Sequence, residues 1–136
     1  MQADFWKKIK HFTEKENWGD VSKVNPYLIM ALDALREMVG KPIVIHCAYD
    51  ESGHKNNSMH YVGKAADIHI VGMNIVDQYL AVEKLGTFNG IGVYPHWNNP
   101  GLHVDLRTKP GRWGRDAHGN YVALNSKFLE KCLNSE

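Results

Sequence analysis

The chain has 136 residues, of which 43% are hydrophobic and 23% are charged, and its formal net charge is +1 with the histidines neutral. This composition is ordinary for a globular protein and predicts one domain, over residues 1–136, with its own core. The near-neutral charge gives no basic field for nucleic acid, and no stretch is long and apolar enough for membrane insertion. Residues 1–8 lack the apolar core of a secretion signal, which predicts a protein that is cytoplasmic at synthesis.

The first part of the chain contains one clear helix. Residues 1–24 are polar with scattered aromatic residues and predict only a short helix or strand packed over the core. Asn25 followed by Pro26 is typical of a helix start. Apolar residues then recur at helical spacing until a glycine and a proline interrupt them, so the sequence predicts a helix over about 26–39.

Short strands and further helices are predicted for the rest of the chain, because β-branched runs alternate with polar and glycine-rich segments. In order, the sequence predicts a strand over 42–49, a polar loop over 50–59, a strand over 66–71, a helix over 74–85, a strand over 90–94, a loop over 95–101, a strand over 102–107, a Gly-rich basic loop over 108–120 and a helix over about 125–133. This mixture predicts an α+β fold with a small, mostly antiparallel sheet and helices packed on one face.

Three polar residues around the predicted strands have the chemistry of metal ligands. Alternation along the strands places Asp67 and His103 opposite their apolar neighbours, so both can line one polar cleft on the sheet. His60 precedes Gly63, which lets the chain turn tightly toward Asp67. Two imidazoles and a carboxylate form the ligand set of a catalytic zinc site that keeps one position open for water. His60, Asp67 and His103 are therefore candidate Zn²⁺ ligands.

The same residues lie in two motifs that resemble those of the M15 zinc peptidases. The motifs are Ser-x-His-x-x-Gly-x-Ala-x-Asp-Ile at 58–68 and Gly-x-His-Val-Asp at 101–105, and the resemblance covers about residues 25–107. The family includes D-alanyl-D-alanine carboxypeptidases and phage endolysins, and the hedgehog signalling domain shares its fold. The resemblance implies that the three candidate ligands bind zinc. It also implies that a zinc-activated water hydrolyses a peptide bond in peptidoglycan stem peptides or related D-amino-acid peptides.

Two departures from the family pattern concern catalysis. Family members often carry an arginine just after the strand that precedes the first motif, where this chain has Asp50. The missing cation would have to come from Lys55, Lys64 or Arg107. Family members also often place an acidic residue three positions before the last histidine ligand, where this chain has Pro100.

The general base is open between two residues. His96 lies in the loop that leads into the last ligand strand, and the pKa of a histidine suits proton transfer near neutral pH. Asp105 shares a strand face with His103 and is the rival, although it could instead orient a ligand histidine. His54 lies in a polar loop, where a solvated histidine is the default expectation.

Aromatic and basic residues near the ligand strands are candidates for contacts with a peptide substrate. They are Tyr94, Trp97, Lys64 and Arg107, with Trp113 as a further aromatic residue. The alternative for the aromatic residues is that they cover the core. The alternative for the whole protein is a zinc-binding module of the same fold without turnover, because the usual arginine and acidic base are missing.

The expected setting follows from the family resemblance alone. Without a recognised secretion signal or wall-binding domain, a phage or prophage lysis protein that acts at the cell wall after release fits better than a secreted host enzyme. We expect a monomer whose partner is the peptidoglycan peptide itself.

Overall fold

The computed structural model describes residues 3–135, which form four α-helices and one six-stranded sheet. In chain order the elements are α1 (Ala3–Trp6), α2 (Pro26–Val39), β1 (Ile43–Cys47), β2 (Ala65–Ile70), α3 (Ile75–Leu85), β3 (Gly90–Tyr94), β4 (Gly101–Asp105), β5 (Gly111–Arg115), β6 (Tyr121–Val122) and α4 (Ser126–Ser135). Two short 3₁₀ turns, Val21–Lys23 and Met59–Val62, interrupt the loops. Within residues 3–135, none of the helices has the length and apolar character needed to cross a bilayer.

Helix α2 begins and ends where the sequence predicts. The side chain of Asn25 accepts a hydrogen bond from the Tyr27 N–H at 2.8 Å, as an N-cap does. Gly40 follows the last turn in the left-handed conformation, with φ of 66°, and its N–H bonds to the Arg36 carbonyl. The buried residues of the helix, which share one face, are Leu28, Ile29, Ala31, Leu32 and Leu35.

The sheet is mixed, with strand order β1-β2-β4-β3-β5-β6. Four neighbouring pairs are antiparallel, while β3 and β5 run parallel. The α+β class is therefore confirmed. The prediction of a continuous loop over 108–120 is wrong, because β5 lies inside that segment. Its sequence, Gly-Arg-Trp-Gly-Arg, carries no apolar alternation, and the strand forms through backbone pairing with β3. Likeness to the hedgehog fold stays a prediction.

One face of the sheet is apolar and the other carries the polar residues. Ile68 of β2 and Leu102 and Val104 of β4 are fully buried in a core cluster that also takes in side chains from α2 and α3. The alternate residues, Asp67 and His103, therefore lie on the opposite face, as alternation predicts. The fold places these polar groups at the centre of the sheet, on adjacent strands.

Candidate metal centre

Three ligand atoms converge at the centre of the polar face. Asp67 of β2 and His103 of β4 are directly opposite each other in the antiparallel pairing, and His60 approaches from the 3₁₀ turn Met59–Val62. Asp67 Oδ1 lies 3.2 Å from His60 Nε2 and 3.1 Å from His103 Nδ1. The three ligand atoms all lie within 4.8 Å of one another, so modest side-chain shifts would let them share one ion.

The chain turns sharply to bring His60 to this point. Gly63 ends the 3₁₀ turn in the left-handed conformation, with φ of 69°, and its N–H bonds to the His60 carbonyl at 3.2 Å. A Cβ at Gly63 would lie 1.9 Å from the Lys23 carbonyl oxygen, so only glycine fits here. Ser58 caps the start of the turn by accepting a hydrogen bond from the His60 N–H at 3.1 Å. The motif glycine and serine are thus explained by the path of the backbone.

Each candidate ligand histidine is oriented through its other ring nitrogen. His60 Nδ1 lies 2.6 Å from the Ala48 carbonyl oxygen, which can only accept, so Nδ1 donates there and Nε2 is the ring atom that faces Asp67 and could bind a metal ion. His103 Nε2 lies 2.7 Å from Asp105 Oδ2, which leaves Nδ1 as the ligand atom. Metal-binding histidines are held in this way, so the residues present fit a metal ion.

The electrostatics of the cluster favour negative carboxylates. Burial alone would raise the pKa of Asp67, but hydrogen bonds from His103 and His60 outweigh it and hold that pKa well below the usual range. Burial opposes ionisation of Asp105 as well, and hydrogen bonds from His103 and Arg107 again lower its pKa. Burial lowers the pKa of His103, but its hydrogen bonds to Asp105 and Asp67 raise it by more, so the pKa lies above the usual value. Two ionised carboxylates in a buried cluster suit a cation.

The triad forms the floor of an open cleft of about 810 Å³. Its other walls come from the loop after β1, the end of β3, the chain after β4 and strands β5 and β6. The lining residues are His54, Lys55, Asn56, Asn57, Ser58, Met59, His60, Asp67, Tyr94, His103, Arg107, Trp113 and Tyr121. A peptide could therefore reach the triad from solvent.

The structure brings some of the predicted substrate residues to this cleft and not others. Tyr94 lines it and its hydroxyl accepts a hydrogen bond from Trp113 Nε1 at 3.0 Å. Arg107 also lines it, above the Trp113 ring at 4.8 Å. Trp97 stacks on Tyr94 with ring centroids 4.2 Å apart but does not line the cleft, and neither does Lys64.

Neither predicted base is placed to take a proton in the cleft. His96 is exposed and lines a separate cleft beside α4, together with Lys127 and Phe128, so the structure does not bring it to the triad. Asp105 is fully buried, and its oxygens bind His103 and the guanidinium of Arg107, with Nη2 to Oδ2 at 2.7 Å. The geometry thus favours the other role expected for Asp105, the orientation of His103.

His54 differs from the expectation of a solvated loop histidine. Its ring stacks on His60 with centroids 4.1 Å apart, and its Nε2 lies 2.7 Å from Asp50 Oδ2. The Tyr61 hydroxyl accepts from the His54 N–H at 2.8 Å and donates to the His54 carbonyl at 2.6 Å. Asp50, at the position where the resemblance implies an arginine, is therefore the partner of a histidine that is held against the triad. Sequence spacing gives no sign of this pairing.

Cys47 contacts the second oxygen of Asp67, the candidate carboxylate ligand. A shift in register between Ile45 and Cys47 brings Cys47 opposite Asp67, and the thiol donates to Asp67 Oδ2 at 3.2 Å. Burial, and then the nearby charge of Asp67, raise the pKa of the Cys47 thiol, so it stays protonated as a donor. Asp67 therefore offers Oδ1 to the two histidines while its other oxygen is occupied.

Two glycines of β3 leave room for the groups around the triad. A Cβ at Gly90 would lie 2.1 Å from Asp105 Oδ1, and one at Gly92 would lie 2.4 Å from Trp113 Nε1. The alternation of Gly90, Gly92 and Tyr94 along one strand face was the signal in the sequence, since isolated strand glycines often mark a close approach by another group.

Comparisons with known proteins agree with this geometry. A family model described as Peptidase M15 matches residues 6–105, a span that contains all three candidate ligands. A comparison with curated proteins gives no match.

Proposed function

The chain belongs to the peptidase M15 family, and on that premise we propose that it is a zinc metallopeptidase that hydrolyses a peptide bond in peptidoglycan stem peptides or related D-amino-acid peptides. The observation that carries the proposal is the convergence of His60 Nε2, Asp67 Oδ1 and His103 Nδ1 at the floor of an open cleft. Family membership implies hydrolase activity, while the metal and the substrate class are part of the proposal.

Zinc is the metal that suits this donor set. Imidazole ligands favour zinc and other transition metals, whereas Mg²⁺ and Ca²⁺ prefer sites built from oxygen. Three protein ligands leave one coordination position for water or substrate, as in catalytic rather than structural zinc sites. Bound there, zinc would lower the pKa of a water molecule and polarise the carbonyl oxygen of the scissile bond.

We propose that His54 accepts the proton of the attacking water and later returns it. A proton donated from its Nε2 to Asp50 leaves Nδ1 with a lone pair, and the ring is held against His60. Asp50 would orient the imidazole and stabilise its protonated form, as a carboxylate does behind a catalytic histidine. His54 lines the triad cleft and His96 lines a different one, so proximity favours His54.

The cleft walls suit an extended peptide with a carboxylate. Tyr94, Trp113 and Tyr121 offer aromatic surface, and Lys55 lies over the Tyr121 ring with Nζ 3.8 Å from its centroid. Arg107 is neutralised by Asp105, so Lys55 is the lining cation proposed to meet a substrate carboxylate in place of the family arginine. Release to the cell wall as a phage lysis protein, and a monomeric state, stay predictions.

The proposal is tested by metal removal and reloading. We expect chelated protein to lose muropeptide hydrolysis, followed by mass spectrometry, and to regain it with one equivalent of zinc. Asp67→Ala should lose both bound zinc and activity to the background rate. His69→Ala, on the same strand face but bonded to His46 instead of a ligand, should retain both.

Two outcomes would decide against a zinc peptidase. Hydrolysis that survives full metal removal would contradict the metal mechanism. Tight zinc binding without cleavage of any muropeptide would instead favour the zinc-binding module without turnover. If muropeptides are cleaved, the masses of the products identify the bond that is cut.

A further inference from the structure

A second set of metal-binding donors lies beside the triad. Cys47 Sγ, an oxygen of Asp50, a ring nitrogen of His54 and a ring nitrogen of His60 all lie within 4.8 Å of one another. Donors that share one zinc ion are roughly 3.5 Å apart, given the usual metal–ligand lengths. Cys47, Asp50 and His54 are therefore within small side-chain movements of a common ion, while His60 faces the triad.

The members of this set are held in place by separate parts of the fold. The register shift in β1 turns Cys47 toward Asp67, and Tyr61 fixes the backbone of His54 through both its N–H and its carbonyl. Asp50 is already in contact with the His54 ring, at 2.7 Å from Nε2. Of Cys47, Asp50 and His54, only His54 lines the cleft, so the other two lie outside the cleft lining.

We propose that Cys47, Asp50 and His54, which lie beside His60, form a second cation site for a soft or borderline divalent metal such as Zn²⁺, Cd²⁺ or Co²⁺. A thiolate, an imidazole and a carboxylate select such ions over Mg²⁺ and Ca²⁺. Coordination would release the thiol proton of Cys47 to solvent, because the thiolate is the form that binds metal. His60 uses Nδ1 for the Ala48 carbonyl and Nε2 for the triad, so it lies between the two sites and makes them neighbours without binding the second ion.

Occupation of the second site has a consequence for the triad. The ion would take the Cys47 sulfur away from Asp67 Oδ2 and would take the His54 ring away from Asp50. If the triad is the zinc centre of a peptidase with His54 as its proton acceptor, excess metal inhibits the enzyme. That consequence rests on the proposed function, whereas the existence of the second site does not.

The test is a titration of metal-free protein with Co²⁺ or Cd²⁺, read by the thiolate-to-metal charge-transfer absorption. In the wild type we expect the first equivalent to bind the triad without this band and the second to produce it. His103→Ala disables the triad and should show the band at the first equivalent. Cys47→Ser should lose the band completely and keep the first binding event, with folding checked by circular dichroism. Asp50→Asn should also lose the second event.

Cys132 supplies the matched control, since it is the other cysteine of the chain and lies in α4. Cys132→Ser should behave as the wild type in every titration. Absence of the band in both wild type and His103→Ala, or a band that survives Cys47→Ser, would overturn the proposal. If the band appears at the second equivalent but no muropeptide is ever cleaved, the proposed function fails and the second site stands. If one equivalent gives an active enzyme and no band follows, the second site fails alone.

Discussion

Two arginines bind carboxylates at similar distances in very different surroundings. Arg107 Nη2 lies 2.7 Å from Asp105 Oδ2, and that carboxylate is fully buried and also bonded to His103. Arg112 Nε lies 2.8 Å from Glu83 Oε2, and each of these two side chains is about one-third exposed. The inner pair, Arg107 with Asp105, supports the candidate ligand His103. The outer pair, Arg112 with Glu83, joins strand β5 to helix α3.

The surroundings of these two ion pairs decide their roles more than their geometry does. An exposed pair stabilises a fold by at most about 1 kcal/mol, because water screens it. A buried carboxylate without its partners is costly, so the inner pair must stay complete. The inner pair therefore fixes the ring of His103, and the outer pair contributes only to packing between two elements.

The largest expected effect comes from removing the charge of the inner carboxylate. We expect Asp105→Asn to weaken zinc binding by about 10- to 100-fold, because His103 loses the anion that orients it and raises its basicity. We also expect a loss of about 2 kcal/mol in the free energy of unfolding, since hydrogen bonds to a charged group are lost. Competition with a chelating dye and denaturant titration measure the two quantities.

Glu83→Gln is the matched variant for this measurement. It should leave zinc affinity unchanged and lower the free energy of unfolding by at most about 1 kcal/mol. Equal effects of the two variants on zinc affinity would show that the inner pair has no special link to the metal centre.

A smaller effect should follow from filling the spaces at Gly90 and Gly92 of β3. In Gly90→Ala the new methyl group meets the Asp105 carboxylate, so we expect zinc affinity to fall by about tenfold. In Gly92→Ala it meets the indole of Trp113, so we expect a raised KM for peptide with unchanged zinc affinity. Both variants should unfold more easily, by about 1–3 kcal/mol, because the space is full. A KM effect in Gly90→Ala without loss of zinc would contradict the assignment.

The smallest expected effect is the pH response of the outer pair. Hydrogen bonds from Arg112 hold the pKa of Glu83 below its usual range, although partial burial opposes this. A lowered carboxyl pKa contributes stability that is present above the unfolded-state value, about 4.3, and that is lost as the pH falls through the folded-state value. The difference in unfolding free energy between wild type and Glu83→Gln should therefore shrink below about pH 4. A difference that stays constant down to pH 3 would refute this.

The sequence predicted the parts of the molecule in which local pattern and burial agree. Helix α2 has its cap residues and its apolar stripe in sequence, and Asp67 and His103 follow strict strand alternation. The three candidate ligands could therefore be predicted before the fold was known, although the metal itself stays a proposal.

The parts that the sequence did not predict depend on contacts between distant segments. Strand β5 forms through parallel pairing with β3, which its glycines and arginines do not indicate. Cys47 reaches Asp67 only because a register shift interrupts the alternation of β1. The contact between Asp50 and His54 depends on the shape of a loop. His96 lies in the turn after β3, where strand alternation does not apply, and lines a different cleft.

One backbone hydrogen bond extends the influence of the triad beyond the cleft. The Asn25 N–H, in the residue that caps α2, bonds to the Gly63 carbonyl at 2.8 Å, at the end of the turn that carries His60. Any ion that stabilises this turn must also slow the local opening that frees the Asn25 amide. Hydrogen exchange at that single amide would therefore report the occupancy of the centre from the start of helix α2.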